Sequence, residues 1–264
     1  MRAESGADGS EIELTERDRR GIRLEIVVVL LVTFGLSGMS AALSLVESAL
    51  SPGGVGGQTM KLNPSRSAQS MLDLLFQLLG VLRLLAWAAL GLYLLWRSGI
   101  GPRAIGLARR IRWRQDVLPG LGLAALIGIP GLGLYLTAHA LGMSVTIVPA
   151  SLGEHWWRLP VLVLAACANA VAEEVLVVGY LLTRLRQLGW TANRSLLASA
   201  LLRGSYHLYQ GLGGGVGNLV MGVIFARFWQ RTDRLWPLVL AHATIDTVAY
   251  IGYTFLHGHV SWLP

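Results

Sequence analysis

Two adjacent carboxylates, Glu173 and Glu174, lie inside an apolar stretch that is long enough to cross a membrane. An ionised carboxylate at mid-bilayer depth is costly, so such residues normally face the protein interior and serve a function. Neighbouring residues of a helix point about 100° apart, so one glutamate can enter a central cavity while the other supports it. Buried carboxylates need partners, and these must come from other helices.

Candidate partners occur in two later apolar segments, in pairs four residues apart that share a helix face. One segment holds Arg203 and His207, and the other holds His242 and Asp246. At a rise of about 1.5 Å per residue, their depths overlap with that of Glu173. Histidines beside a carboxylate can bind a metal ion or activate a water molecule. One buried histidine is more often a hydrogen-bonded core residue, but that explanation does not account for three helices with polar residues at matching depth.

The elements that carry these residues are predicted to be membrane helices. Of the 264 residues, 53% are hydrophobic and 14% are charged, whereas soluble domains have roughly 25% charged residues. Spanning segments must be helices or closed barrels, and these apolar runs are too long and too uniform for barrel strands. The sequence therefore predicts an all-α, polytopic membrane protein, without a repeat or a second domain.

Seven spans are predicted, and the fifth is short enough that it could be re-entrant. They cover about Leu24 to Val46, Met71 to Trp96, Val117 to Leu141, Leu159 to Leu182, Ser195 to Tyr209, Val216 to Trp229 and Pro237 to Phe255. Residues 1–23 form a predicted polar tail, and residues 24–264 form the membrane domain. A kink is expected in span three at Pro130.

Arginines cluster in alternate connections, which predicts the topology. The arginine-rich segments are residues 17–23, 97–114, 184–194 and 227–234, and the opposite loops hold few basic residues. The positive-inside rule then places the N-terminus in the cytosol and the C-terminus outside. We expect an integral protein of the plasma membrane of a prokaryote.

The charge and cysteine content exclude other classes of protein. The net charge of +7 is explained by the arginine-rich loops, so nucleic acid is not an expected partner. Cys167 is the single cysteine of the chain, which excludes an intramolecular disulfide and a multi-cysteine zinc site.

Three motifs on successive helices resemble the CAAX protease and bacteriocin-processing family of intramembrane endopeptidases, also called CPBP or Abi. The signature of that family is EExxxR, then FxxxH, then HxxxN or HxxxD. The corresponding segments of this chain are residues 173–178, 203–207 and 242–246. The resemblance covers about residues 155–255, which we expect to form the catalytic core.

The resemblance implies an endopeptidase that hydrolyses a peptide bond of a membrane-associated protein or peptide, with lipid-modified proteins as one class of substrate. The implied catalytic residues are Glu173, Glu174, His207, His242 and Asp246. Glu173 would activate the attacking water with help from His207. His242 and Asp246 would stabilise the oxyanion or bind a metal. A divalent ion such as zinc would be held by Glu173, His207, His242 and Asp246, and a mechanism without a metal stays open.

Two positions depart from the family signature. Val178 replaces the arginine of the first motif, and Arg203 replaces the phenylalanine of the second. An arginine at mid-helix costs about 2.5–3.5 kcal/mol on insertion scales, so it should have an acidic partner. We therefore expect Arg203 to support the site by pairing with Glu174, with Arg83 as the rival cation. Asn218, next to a glycine-rich run, is expected to support the site by lining the cavity.

Two other functional classes fit the same buried charges. A proton- or ion-coupled transporter would tolerate Glu173→Asp and would show flux that depends on pH or voltage. A non-catalytic scaffold of the same family would keep its function after alanine substitution at Glu173, His207 and His242.

Overall fold

Seven helices form the protein, which is described by a computed structural model over residues 14–107 and 110–260. In chain order they are α1 (Glu16–Leu50), α2 (Ser70–Arg97), α3 (Trp113–Ala140), α4 (Arg158–Gln187), α5 (Ala192–Ser205), α6 (Leu212–Thr232) and α7 (Trp236–Leu256). Within the described residues, α1 to α4 and α6 are long and apolar enough to cross a membrane. The predicted all-α, polytopic membrane architecture is thereby confirmed.

The first helix begins inside the predicted polar tail. Thr15 caps it, because the Thr15 hydroxyl accepts a hydrogen bond from the Asp18 amide while the Asp18 carboxylate accepts one from the Thr15 amide. Such a reciprocal capping box stabilises a helix start even where the residues are polar. The part of the predicted tail before residue 14 lies outside the described residues.

Helix α4 is the central element of the bundle. It is the most buried of the long apolar helices and packs against α2 and α7. Helices α5 and α6 form a close pair, and α3 packs against α7 and α6. The glutamate pair of α4 therefore lies where several helices can supply partners.

One end of the bundle, which we call the arginine-rich end, holds two ion pairs that each have one buried partner. Arg234 donates two hydrogen bonds to the fully buried Asp116, and these bonds to the carboxylate hold the pKa of Arg234 above its usual value. Arg184 contacts Glu25 of α1 at 2.8 Å and also donates to the Leu94 carbonyl of α2. These contacts join α1, α2 and α4.

The opposite end, which we call the strand end, carries two strands that were not predicted. β1 (Thr59–Lys61) pairs in parallel with β2 (Thr146–Val148). Strands of three residues are too short for a periodic signal in the sequence, and they form through pairing distant in the chain. Beside them, the Leu212 amide donates to the Met143 carbonyl at 3.0 Å. The turn between α5 and α6 therefore reaches the strand end.

Two helices change their winding where the site is built. Residues Glu174–Tyr180 of α4 and Leu31–Gly35 of α1 are π-helical, and such segments occur frequently at functional sites. In α1, Thr33 leaves the helical region, with φ −122° and ψ −109°. Helix α3, by contrast, continues through Pro130.

Candidate active site

Glu173 and Glu174 lie at the point where α4 passes from α-helical to π-helical winding. Glu173 is the last residue of the α-helical part, and Glu174 is the first of the π-helical part. Both are buried, since the side chain of Glu173 is 4% exposed and that of Glu174 is 0% exposed. The two carboxylates therefore depend on protein groups for nearly all of their stabilisation.

Arg203 of α5 supplies the positive charge to both glutamates. Its Nη2 lies 2.7 Å from Glu174 Oε1, and its Nη1 lies 3.3 Å from Glu173 Oε2. The side chain is fully buried, with the guanidinium over the Phe225 ring. Arg83, the rival cation, is instead exposed on α2 and stacks over Trp87.

His242 of α7 contacts Glu174 and lies close to Asp246. Its Nδ1 is 2.7 Å from Glu174 Oε1, and its Nε2 is 3.6 Å from Asp246 Oδ2. Asp246 also accepts a hydrogen bond of 3.1 Å from Asn169 of α4. The pair at i and i+4 therefore shares one helix face, but its nearest glutamate is Glu174, whereas the sequence predicted Glu173.

Tyr206 is a site residue that the sequence analysis missed. Its hydroxyl donates to Glu173 Oε2 at 2.6 Å, and its side chain is buried. The signal available in the sequence was a tyrosine directly before His207 in an apolar segment, because a buried phenol normally finds a hydrogen-bond partner. Nothing in a single sequence shows that this partner is Glu173.

His207 lies in the turn after α5, because the helix ends at Ser205. The ring Nδ1 is 2.9 Å from the Arg203 carbonyl oxygen, so it donates there and leaves Nε2 free in the neutral ring. In the described part of the chain, no carboxylate oxygen lies within 4.0 Å of His207. The ring packs against Tyr206, with centroids 4.7 Å apart.

The two glutamates differ in the access to their second oxygen. In the part of the chain that the structure describes, Glu174 Oε2 is a buried atom without a hydrogen-bond partner, and Glu173 Oε1 is not such an atom. Glu173 Oε2 accepts from Tyr206 and Arg203, while Oε1 receives no hydrogen bond from the described residues. Glu173 Oε1 is therefore accessible, and it accepts no hydrogen bond from the described residues.

A metal ion fits a different set of ligands from the predicted one. Glu173, Glu174 and His242 offer ligand atoms that all lie within 4.8 Å of one another. Two carboxylates and an imidazole suit a zinc-like divalent ion. Glu174 Oε2, which has no hydrogen-bond partner among the described residues, is available as a ligand atom. His207 and Asp246, which the sequence analysis included, lie outside this group of residues.

Asn218, the other predicted supporting residue, uses its side chain inside its own helix. Its Nδ2 donates to the Gly214 carbonyl of α6 at 3.1 Å, one turn earlier. This contact leaves the carboxamide oxygen and the second N–H of Nδ2 for other groups.

Comparison with known proteins gives one match. Residues 155–248 match the family model described as type II CAAX prenyl endopeptidase Rce1-like. The matched residues contain all three motifs and run from the start of α4 into α7, so they hold the whole ionic cluster. Comparisons with curated proteins and with solved structures return no match. The predicted resemblance to the CAAX protease family is confirmed for this part of the chain.

Proposed function

We propose that this protein is an intramembrane endopeptidase of the CAAX type. The match of residues 155–248 to the Rce1-like family model supports this proposal. The substrate would be a membrane-associated protein or peptide, including lipid-modified ones. One observation carries the proposal: among the described residues, none donates to Glu173 Oε1, while Oε2 is held by two donors. A carboxylate fixed in this way is suited to act as a general base.

The first step is activation of water by Glu173. Its Oε1 accepts a proton from a water molecule as the water oxygen forms a bond to the carbonyl carbon of the scissile peptide. The free Nε2 of His207 can accept a hydrogen bond from the same water and so orient it. The proton then passes to the peptide nitrogen, the carbon–nitrogen bond breaks, and a carboxylic acid and an amine are released.

His242 is placed to stabilise the negative charge that develops on the carbonyl oxygen. Its Nδ1 donates to Glu174, and its Nε2 is too far from Asp246, at 3.6 Å, for a good hydrogen bond. A protonated ring can therefore donate from Nε2 to the oxyanion, which is a strong source of catalysis in an enclosed site. The hydrogen bond of Nδ1 to Glu174 fixes the orientation of the ring, and the carboxylate of Asp246 lies near its Nε2 edge.

A divalent ion would be held by Glu173, Glu174 and His242, where it would polarise the carbonyl and acidify bound water. The site does not need such an ion for charge balance, because Arg203 compensates one charge of the glutamate pair and a protonated His242 compensates the other. We therefore expect hydrolysis to persist after treatment with a chelator. Loss of hydrolysis that zinc restores would assign the ion a role at these three ligands.

The experiment is hydrolysis of prenylated and unmodified peptides by the purified protein in liposomes. Glu173→Gln keeps the size of the side chain but removes the base, so we expect kcat to fall by about 10²–10⁴-fold. Glu154→Gln is the matched control, since Glu154 is exposed near the start of α4, and it should leave kcat unchanged. Full activity of Glu173→Gln would contradict the proposal.

A further inference from the structure

Tyr206 holds Glu173 from a turn and therefore depends on support from other elements. It follows the end of α5, and its amide still bonds to the Leu202 carbonyl at 3.3 Å. The next residues leave the helix altogether, since His207–Gly211 form a turn with a short 3₁₀ segment. A phenol on such a segment is positioned by what its ring packs against.

The ring of Tyr206 packs against α1. Phe34 stacks on it with centroids 4.8 Å apart and an interplanar angle of 29°, and Phe34 is itself buried. Trp87 of α2 meets Phe34 in an edge-on arrangement, with centroids 5.4 Å apart. Trp87, Phe34 and Tyr206 form an aromatic stack that runs from two N-terminal helices to the hydrogen bond on Glu173.

The winding of α1 changes where it supplies Phe34. The π-helical segment Leu31–Gly35 contains Phe34, and the Thr33 hydroxyl satisfies the Val29 carbonyl at 2.7 Å. One turn later Gly38 meets the end of α5, where a Cβ on Gly38 would lie 2.6 Å from Ser205 Oγ. Helix α1 therefore lies directly against the turn that carries Tyr206.

We propose that α1 positions the general base of the site, with Phe34 and Tyr206 as positioning residues. Phe34 fixes the Tyr206 ring, and the Tyr206 hydroxyl occupies Glu173 Oε2, so that Oε1 is the oxygen presented to water. This inference rests on the proposed function, and it assigns a role to a helix that lies outside the matched residues 155–248. Helix α1 is thus part of the active site and not only a membrane anchor.

The test is a double-mutant cycle on peptide hydrolysis in liposomes. Tyr206→Phe should lower kcat by about 10–100-fold, the usual cost of removing a group that orients a catalytic residue, while KM stays the same. Phe34→Leu should lower kcat in the same way. Because Phe34 acts through the Tyr206 hydroxyl, the double variant should be no slower than Tyr206→Phe alone. Phe76→Leu, a matched change on the exposed face of α2, should have no effect on kcat.

Two outcomes overturn the inference while leaving the proposed function intact. Wild-type kcat in Tyr206→Phe would show that the phenol does not position Glu173. Losses that multiply in the double variant would show that Phe34 acts independently of Tyr206.

A second measurement tests the contact even if the wild-type protein hydrolyses no peptide, the result that would reject the proposed function. Melting temperatures are compared for Tyr206→Phe, Glu173→Ala and the double variant. If the Tyr206–Glu173 bond is made, the shifts should fall short of additivity by about 2–4 °C. Additive shifts would overturn the inference.

Discussion

Arg203 is a fully buried cation that is paired with two carboxylates of a neighbouring helix. Charged groups in an apolar interior are tolerated when they are paired, and breaking such a pair leaves an uncompensated charge. The family signature has its arginine at the position of Val178, on the same helix as the glutamates, and Val178 is buried here. We interpret Arg203 as an exchange in which the cation enters from α5 instead of α4.

Removal of Arg203 is therefore expected to be costly. Arg203→Met should reduce the free energy of unfolding by about 3–5 kcal/mol, because two buried carboxylates lose their counter-charge. Arg194→Met is the control, since Arg194 is exposed on the same helix, and it should be nearly neutral. Unfolding in detergent measures both variants.

The exchange hypothesis is tested by placing the arginine at position 178, as in the family signature, and removing it from position 203. Val178→Arg combined with Arg203→Phe should be more stable and more active than either single variant, because only the double variant has one cation and the space for it. If the double variant is no better than the single ones in unfolding and hydrolysis, the exchange hypothesis is wrong.

At the scale of the elements, the lengths of the apolar runs in the sequence predicted the long helices well. The predicted fourth span, about Leu159 to Leu182, lies inside α4, and the spacing of His242 and Asp246 correctly placed them on one face. The end of α5 at Ser205 was not predicted, because the apolar run of the sequence continues beyond it. His207 consequently lies in a turn, although its spacing from Arg203 indicated a shared helix face.

The contacts between individual side chains of the site could not be predicted from the sequence. Several polar residues at matching depth indicate a cluster, but they do not say which atoms meet. The π-helical winding after Glu173 changes which residues of α4 face α5 and α7, and no composition signal marks it. Tyr206 and the ligand group of Glu173, Glu174 and His242 therefore required the three-dimensional structure.

Close packing of α5 on α6 keeps Arg203 in place. Gly222 of α6 faces α5, where a Cβ would lie 2.8 Å from the Ala200 Cα and 3.4 Å from the Arg203 Cδ. Gly222→Leu should reduce the free energy of unfolding by about 1–3 kcal/mol, the usual cost of overpacking, and should lower peptide hydrolysis. Gly80→Leu on α2 is the matched control, since a Cβ there meets no atom within 4 Å. Equal effects of the two substitutions would contradict this account.

At the scale of the whole molecule, the two ends of the bundle differ in chemistry. The starts of α1, α5 and α7 lie at the arginine-rich end, whereas the two strands lie at the other. The positive-inside rule assigns the arginine-rich end to the cytosol, and we propose this orientation.

Orientation is measurable by cysteine labelling in intact cells. In a Cys167→Ala background, Glu154→Cys at the strand end should react with an impermeant maleimide, and Arg194→Cys should react only after lysis. Both positions are exposed, so a difference in labelling reports the side of the membrane. The reverse pattern would place the arginine-rich end outside.

The shortness of α5 bears on the lipids around the protein. Its 14 residues rise roughly 21 Å, about 9 Å less than a typical hydrocarbon core, and its Leu197 and Leu201 are exposed. Such hydrophobic mismatch is relieved when the surrounding bilayer thins. Peptide hydrolysis should therefore be faster in liposomes of short acyl chains than in those of long chains at equal protein density. Activity that is independent of chain length would show that neighbouring helices shield α5 from the lipid.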